Sequence, residues 1–470
     1  MNIVQVNTYD IQGGAARAAW RLHNELRRAG HQGAMLTRFK ASADDDVHQL
    51  ECEPNDPKKG SLRRWKKLSK KYIDKNRTNV TDCPFTLPVP GYDLALHPVA
   101  RAADIIHLHW VAGLLSPQGI ARLLQLGKPL VWTLHDQRAF TGGCHFSFGC
   151  RKYETTCSSC PQLGDKAPNL SSGVLAESLK AIDAARVTVV TPSKWLGACA
   201  SSSAMFRQSQ IHVIPNGVET NLFRPMSRTE ARAHLGIDPT GVYFLFGADS
   251  IRDRRKGIHI LLEALAICHQ EENLREAMKS RQINFICYGW GSEKHDYGEL
   301  PIQGFGRIEL DEKMALLYAA ADVYICPTLE DNLPTTILEA LSCGTSVLAS
   351  EVGGVPDMVE NHRNGLLFKP GDAPALAAVI KWVVENPAVL PQWSANARRG
   401  IEANFTMELQ ARRLGELYSA LLKHSPAPAT LPFTSLEKVP LMPPVWNIPG
   451  PLRGRWPQLP WRYFNLPGSK

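Results

Sequence analysis

The sequence lacks any apolar run that approaches the ~18 residues needed for a membrane-spanning helix. Its first residues, MNIVQVNTYDIQGG, also lack the cationic start and the long apolar core of a signal peptide. We therefore expect a cytoplasmic protein. An apolar content of 44% and a charged content of 21% are those of a globular chain rather than a disordered one.

Excess positive charge is confined to one stretch of the 470 residues. The net charge is +8, and residues 58–77 hold ten Lys or Arg against a single acid. The remainder is nearly neutral, which argues against a nucleic-acid-binding protein. The stretch predicts a basic amphipathic helix suited to an anionic membrane surface, so that the protein would lie at the inner face of a membrane. A solvated lysine-rich insertion is the alternative. The apolar face of the predicted helix would hold Leu62, Trp65, Leu68 and Tyr72.

Cysteine is thinly spread over most of the chain, and several of the eleven cysteines lie on apolar segments typical of a core. The other four fall within seventeen residues and end in a C-x2-C pair: Cys144, Cys150, Cys157 and Cys160. Four thiolates at such spacing can surround one zinc ion, and a closed four-thiolate site would be structural. Free thiols or a redox disulfide are the alternatives.

Short continuous apolar runs alternate with helical patterns along most of the chain. Such runs are typical of parallel strands covered on both faces. A first series of strands occupies residues 3–7, 104–108, 129–134, 187–190 and 211–214, and a second begins at residue 242. The alternation predicts two doubly wound α/β domains in tandem.

We place the domain boundaries from this pattern and from composition. Residues 1–225 form the first domain, which includes the basic insertion 58–77 and the cysteine-rich loop 141–161. Residues 226–402 form the second domain, and residues 403–424 form a closing helix. The tail 425–470 is too rich in proline for a helix or sheet, so we expect it to be disordered or extended on another surface.

The richest motif runs from Leu329 to Val359 and reads LEDNLPTTILEALSCGTSVLASEVGGVPDMV. It places two carboxylates, Asp331 and Glu339, on either side of a loop-to-helix junction, with seven residues between them. An ordinary helix start also favours acids, but Glu339 lies among apolar residues and needs a partner. Two carboxylates and the free amides at a helix start would suit a polyol joined to a phosphate.

Three further features have the chemistry of a phosphate or sugar site. The run DSIRDRRKG ends at Gly257 and concentrates four cations before an apolar helix; a solvated basic loop is the alternative. The pair Gly13-Gly14 follows the first predicted strand, where the backbone can approach a phosphate or an acceptor. His135 ends a strand, where ligands bind in open α/β sheets, although a core histidine would also fit there.

With these surroundings, the sequence from Gly304 to Phe368 resembles the nucleotide-sugar-dependent retaining glycosyltransferases of family four, which have the GT-B fold. The resemblance extends over roughly residues 1–424. It implies two Rossmann-like domains that face a central cleft, the first on the acceptor side and the second binding the nucleotide sugar.

The resemblance also assigns roles. Asp331, or its neighbour Glu330, would hold the donor sugar, Glu339 its ribose, and Lys256 its diphosphate. His135 would bond the sugar near the reaction centre. An Arg normally found six residues before the Lys is Ser250 here, so that either Arg252 or Arg254 would substitute for it or the acceptor would reach the phosphate differently. The residues predicted to bind the donor are Gly13, Gly14, Arg252, Arg255, Lys256, Asn332, Leu333, Pro334 and Glu339.

The function so implied is retaining transfer of a sugar from a nucleotide diphosphate to a hydroxyl of a glycan or lipid-linked glycan, in the synthesis of exopolysaccharide, lipopolysaccharide or another cell-surface glycan. It would need no cofactor for catalysis. The rival functions are an epimerase or phosphorylase of the same fold and a non-catalytic membrane-surface binding protein.

Overall fold

The computed structural model describes residues 1–51, 67, 69–88, 91–164, 170–424 and 441–442. Most of the predicted basic helix, at 58–66 and 68, lies outside the described residues, as does the predicted tail apart from residues 441–442. Residues 69–76 are helical. The described chain divides into two compact units, which are treated separately below.

The first unit comprises residues 1–191 and 197–212 and the chain from residue 415. It holds a seven-stranded sheet in the order β3-β2-β1-β5-β6-β7-β8, and the paired strands from β3 to β7 are all parallel. These strands are β1 (Asn2–Tyr9), β2 (Gln32–Phe39), β3 (Val47–Gln49), β5 (Ile105–Leu108), β6 (Leu130–Thr133), β7 (Val187–Thr191) and β8 (Gln210–Val213). The short strand β4 (Gly91–Tyr92) pairs separately with β15 (Leu441–Met442).

The connections of this unit are mostly helical. Its helices are α1 (Gly14–Arg28), α2 (Pro98–Ala102), α3 (Pro117–Leu124), α4 (Leu170–Ala181) and α5 (Lys194–Ser202). All four residues of β5 and of β6 are buried, as expected for central strands covered on both faces.

The second unit comprises residues 192–196 and 213–414. Its six-stranded parallel sheet has the order β11-β10-β9-β12-β13-β14. The strands are β9 (Val242–Ser250), β10 (Ile283–Trp290), β11 (Ile302–Gly304), β12 (Val323–Cys326), β13 (Ser346–Ser350) and β14 (Gly365–Phe368). The helices are α6 (Arg228–Leu235), α7 (Ile258–Gln270), α8 (Glu272–Lys279), α9 (Asp311–Ala320), α10 (Thr335–Ser342), α11 (Ala373–Glu385), α12 (Leu390–Asn404) and the start of α13 (Met407–His424).

Alternate residues of the second sheet enter two different cores. On β9, Tyr243 and Leu245 join one apolar cluster, whereas Phe244 and Phe246 join the other. Because successive side chains of a strand point to opposite faces, both faces of this sheet are covered. The continuous apolar runs of the sequence have this cause, and the predicted α/β fold of two parallel-sheet domains is confirmed.

The structure adds elements that the apolar pattern did not indicate. Strand β2 lies next to β1, although polar residues interrupt its sequence. Helix α12 was not predicted either. The second unit resumes at Val213, whereas the sequence pattern places the domain boundary after residue 225.

Among the described residues, no single helix is both long and apolar enough to cross a membrane. One bent pair, Ala373–Glu385 with Pro387–Asn404, meets the criteria of length and composition together, and it bends by 79° at its break.

The turn between β1 and α1 is held by a buried carboxylate. Asp10 accepts backbone N–H groups from Ile11 (2.8 Å), Ala41 (2.9 and 3.0 Å) and Ser42 (2.7 Å). Burial alone would raise the pKa of Asp10, but these hydrogen bonds lower it below its ordinary value. The carboxylate thus joins the loop after β2 to the turn that leads to Gly13.

We predict that Asp10→Ala destabilises the protein by about 2 kcal/mol, because three backbone amides lose a charged acceptor. Denaturant unfolding at pH 7 measures the change in the free energy of unfolding. Asp45→Ala is the matched control, since Asp45 is exposed in the same loop region. Equal stability of the two variants would contradict this account.

Candidate active site

In the second unit, an acid and two cations meet beside the end of β12. The Asp331 side chain is buried, with the residue only 8% exposed. Its Oδ2 accepts from Lys256 Nζ at 2.6 Å and from the Arg255 guanidinium at 3.0 Å. The structure therefore brings together three residues predicted for the donor site from two distant parts of the chain.

The cations come from a short turn that precedes α7. The Asp253 carboxylate accepts the backbone N–H of Arg255 at 3.0 Å and so begins this turn. The turn ends at Gly257, which has φ +73°. A Cβ at Gly257 would lie 1.7 Å from the carbonyl oxygen of Pro327, so only glycine fits between the turn and the end of β12.

The turn that carries the two cations, residues 253–257, is joined by hydrogen bonds to the loop that carries Asp331, residues 327–332, which we call the acid loop. The carbonyl of Arg255 accepts from the amide of Leu329 at 2.7 Å and from the hydroxyl of Thr328 at 3.1 Å. Arg255 also donates to the carbonyl of Glu330 at 2.9 Å. The positions of the charges are thus fixed by the two loops together.

The Gly353-Gly354 pair supports the acid loop from its other side. A Cβ at Gly353 would lie 1.7 Å from the carbonyl oxygen of Asp331, and one at Gly354 would lie 1.9 Å from that of Asn332. The glycines are needed there because the acid loop passes directly over them.

The charge balance of this cluster keeps Asp331 ionised. Burial alone would raise the pKa of Asp331, but the charges and hydrogen bonds of Lys256 and Arg255 outweigh burial and lower it to about 2. The Arg255 guanidinium also lies 3.4 Å from the Asp253 carboxylate, so two carboxylates balance the two cations, whose remaining N–H groups can still donate to a diphosphate.

Glu339 lies in the middle of α10 and is buried, with 6% of the residue exposed. Its Oε2 accepts from the hydroxyl of Tyr318 on α9 at 3.3 Å, so this acid has a polar partner, as the sequence required. Tyr318 in turn lies 3.2 Å from the hydroxyl of Tyr288. The sequence did not predict a role for either tyrosine. Tyr318 lies on an apolar helix and Tyr288 on an apolar strand, so both have the pattern of core residues.

The other residues predicted to bind the donor lie in different surroundings. The amide of Asn332 donates to Asp331 Oδ1 at 3.0 Å, and its side-chain oxygen accepts from Ser193 at 2.6 Å. Leu333 packs in the core of the unit, and Pro334 lies at the start of α10. Arg252 stacks over the ring of Trp290 at 4.5 Å, and the arginine bound to Asp331 is Arg255.

In the first unit, three histidines form a row at the ends of β5 and β6. His135 Nε2 lies 3.1 Å from His109 Nδ1, and His107 packs against His109 with ring centroids 4.2 Å apart. His107 also contacts the hydroxyl of Tyr418 on α13 at 2.6 Å. Both His107 and His109 are buried.

Burial keeps these imidazoles neutral. It lowers the pKa of His135 to about 4, although Asp136 partly opposes this effect. It also lowers the pKa of His107 to about 3 and that of His109 well below its ordinary value. His135 can therefore exchange hydrogen bonds at neutral pH without carrying charge.

A pocket of about 620 Å³ opens beside this row, which we call the histidine pocket. Asp136 organises its polar wall, because its Oδ2 accepts from Trp110 at 2.8 Å and contacts His145 at 2.6 Å. Arg138 also lines it and donates to Thr86 at 2.7 Å. Two of the lining residues, Trp110 and Trp132, supply aromatic rings.

Gly13 and Gly14 lie at the start of α1. Gly13 has φ +92°, and nothing lies within 4 Å of a Cβ built at either glycine. The backbone there leaves room for a ligand, and binding of a phosphate or an acceptor at this point stays a prediction.

The four clustered cysteines are free and line a second, smaller pocket of about 280 Å³ in the first unit. Within the described part of the chain, no three or more His, Cys, Asp or Glu side chains are already arranged to hold a metal ion. The zinc site therefore stays a prediction.

The sequence of this chain is similar to those of known protein families. Residues 12–222 match the family model described as Glycosyltransferase Family 4, and residues 242–386 match the model described as Glycosyl transferases group 1. The chain belongs to these glycosyltransferases. The resemblance predicted from the acid motif is thereby confirmed.

Curated relatives agree with this membership. A D-inositol 3-phosphate glycosyltransferase of Arthrobacter sp. (strain FB24) is 28% identical over 61% of this chain and 63% of its own length. An alpha-maltose-1-phosphate synthase of Mycolicibacterium smegmatis is 24% identical over 83% of this chain and 94% of its own length. The chain spans about half to just under two thirds of the first curated relatives that it matches.

Solved structures share the fold. Sucrose-phosphate synthase from Thermosynechococcus elongatus has a TM-score of 0.60 at 22% identity and covers 90% of this chain and all of its own. Anabaena Alr3699/HepE in complex with UDP and glucose has a TM-score of 0.57 at 20% identity, with coverage of 89% and 99%. These glycosyltransferases have the GT-B fold, so the predicted fold class is confirmed.

We predict that the Asp331 cluster adds acid-sensitive stability. A carboxyl with a folded-state pKa near 2 and an ordinary unfolded value stabilises the protein by about 2 kcal/mol above pH 4. This contribution is lost as the pH falls from about 4 towards 2. The difference in unfolding free energy between wild type and Asp331→Asn should therefore shrink across that range, and a constant difference would contradict the assignment.

Proposed function

We propose that this protein transfers a sugar, with retention of anomeric configuration, from a nucleoside diphosphate donor to a hydroxyl of a glycan or lipid-linked glycan. The observation that carries the proposal is the contact of Asp331 with Lys256 and Arg255, in the unit that matches the group 1 model. Departure of the nucleoside diphosphate leaves negative charge on its phosphates, and fixed cations stabilise that charge in the transition state.

The donor would bind to the second unit. Lys256 and Arg255 would hold the diphosphate, and Glu339 the ribose. Glu339 is buried and bonded through Tyr318, so its carboxylate is held in place on a rigid helix. The related Anabaena structures contain UDP and UDP-glucose, which makes uridine nucleotides the first donors to test.

The acceptor would bind to the first unit in the histidine pocket. Trp110 and Trp132 offer flat apolar faces, and Asp136 and Arg138 offer polar contacts, which together suit a sugar ring. The relatives named for D-inositol 3-phosphate and maltose-1-phosphate make phosphorylated polyols and sugars useful acceptors in the same panel. We place the reaction in cell-surface glycan synthesis.

We predict that Lys256→Met and Arg255→Met each lower sugar transfer by roughly 10- to 100-fold, because each removes a charged contact to the departing phosphate. Lys279→Met is the matched control, because Lys279 is an exposed cation on α8 of the same unit. Release of nucleoside diphosphate from donor and acceptor measures the rate. Unchanged transfer by Lys256→Met would refute the assignment.

The same assay separates the rival functions. A transferase consumes donor in proportion to product only when an acceptor is present. An epimerase would convert or release donor without any acceptor, and a phosphorylase would need inorganic phosphate in its place. A panel of nucleoside diphosphates in thermal unfolding identifies the base first, since a bound ligand raises apparent stability by mass action.

We also propose that the protein is cytoplasmic and binds the membrane peripherally through the basic segment. In its described part, Lys67, Lys70, Lys71 and Lys75 are exposed. Ile73 is buried, and Tyr72 packs against the same apolar cluster of the protein itself. Any contact with lipid by this part would therefore be electrostatic, between the lysines and anionic headgroups.

We predict that replacing these four lysines by Glu lowers binding to vesicles with anionic lipid by more than about tenfold, because each lysine contributes about 1 kcal/mol near such a surface. Sedimentation with vesicles measures the bound fraction, and neutral vesicles are the control. Equal binding of the variant and wild type to anionic vesicles would disprove the surface role.

A further inference from the structure

The segment from residue 141 to 164, which we call the cysteine loop, has little regular structure to hold it. It contains one short helical turn, Lys152–Glu154. Three of its non-glycine residues have positive φ: Phe148 (50°), Cys157 (53°) and Ser159 (48°). Such backbone conformations persist only where their surroundings fix them.

The four thiols of this loop face one shared space. Cys144, Cys150, Cys157 and Cys160 all line the pocket of about 280 Å³, together with the rings of Phe85 and Tyr153. Cys144 and Cys157 are buried, and the other two are half-buried. The described residues hold no preformed group of metal ligands, but a thiol moves substantially when its side chain changes rotamer.

We propose that these four thiols bind one Zn²⁺ as thiolates after such rotation, and that the metal fixes the wall of the histidine pocket. The bound Zn²⁺ would replace the four thiol protons, which pass to solvent. A site closed by four thiolates has no open position for a substrate, so its role is structural.

One contact favours a thiolate site over a pair of disulfides. The amide of Gly142 donates to Cys157 Sγ at 3.3 Å, and such an N–H group stabilises negative charge on sulfur. A disulfide sulfur has no charge for this amide to stabilise. Lys152, which lines the same pocket, donates to the carbonyl of Ser159 at 2.6 Å and so fixes the backbone between Cys157 and Cys160.

The cysteine loop is tied directly to the pocket. His145, next to Cys144, contacts Asp136 at 2.6 Å, and its carbonyl accepts from the amide of Gln137 at 3.0 Å. Asp136 follows His135 and also holds Trp110. Any movement of Cys144 therefore reaches the residues that we place around the acceptor, and this step rests on the proposed function.

The other end of the loop is tied to the helical residues 69–76. The amide of Gly164 donates to the carbonyl of Asn76 at 2.7 Å, and the amide of Thr78 donates to that of Gln162 at 3.2 Å. Cys144 and Cys160 pack in one apolar cluster with Ile73 and Phe85. A metal among the thiols would thus fix both neighbours of the loop.

The first test is the metal content of the full chain, purified under reducing conditions and then titrated with Zn²⁺. We expect one tightly bound zinc per chain, and Co²⁺ in its place should give the thiolate-to-metal absorption of a tetrahedral site. Cys157→Ser should lose the metal, whereas Cys268→Ala, a buried cysteine outside the loop, should retain it. Chains that take up no zinc would overturn the proposal.

A second measurement uses wild type alone, so that it does not depend on a variant folding. Removal of the metal with a chelator should speed amide hydrogen exchange in residues 141–164 and at Asp136, and returning Zn²⁺ should restore protection. Unchanged exchange in these residues would show that the metal does not hold the loop. If zinc binds as expected but no donor or acceptor is ever turned over, the proposed function fails and the metal site stands.

Discussion

The second unit is organised around one buried carboxylate that two cations share. A buried Asp331 without Lys256 and Arg255 would be strongly unfavourable, and the two cations would repel each other without it. The surrounding glycines exist to let three loops approach closely enough for this contact. The contact of Asp331 with its two cations is therefore needed for the local fold of these loops, and it is also a candidate donor site.

This contact changes the role that the motif alone assigns to the first acid. A diphosphate that reaches Lys256 would meet a cation already bound to Asp331, so the acid sets the free charge offered to the donor. The second cation at Asp331 is Arg255, the immediate neighbour of Lys256, whereas Arg252 stacks on Trp290.

The sequence predicts those features that depend on local pattern. Buried central strands such as β9 and β12 were readable because parallel strands covered on both faces are apolar throughout. Strand β2 was not, because it is exposed at its two ends, Gln32 and Phe39, and carries polar residues. The partners of Asp331 and Glu339 were not readable either, since each contact joins residues distant in sequence, and Tyr318 has the pattern of a core residue.

The two units differ in how they use charge, and this difference bears on the proposed chemistry. The cations that the proposal assigns to the departing phosphate are fixed by Asp331 in the second unit. In the first unit, burial keeps His107, His109 and His135 neutral at physiological pH. Sugar transfer builds positive charge on the anomeric carbon, as glycoside cleavage does. A neutral imidazole can hydrogen-bond a sugar without adding a charge of like sign, so the neutral state of the histidine row suits the acceptor role that we propose for its pocket.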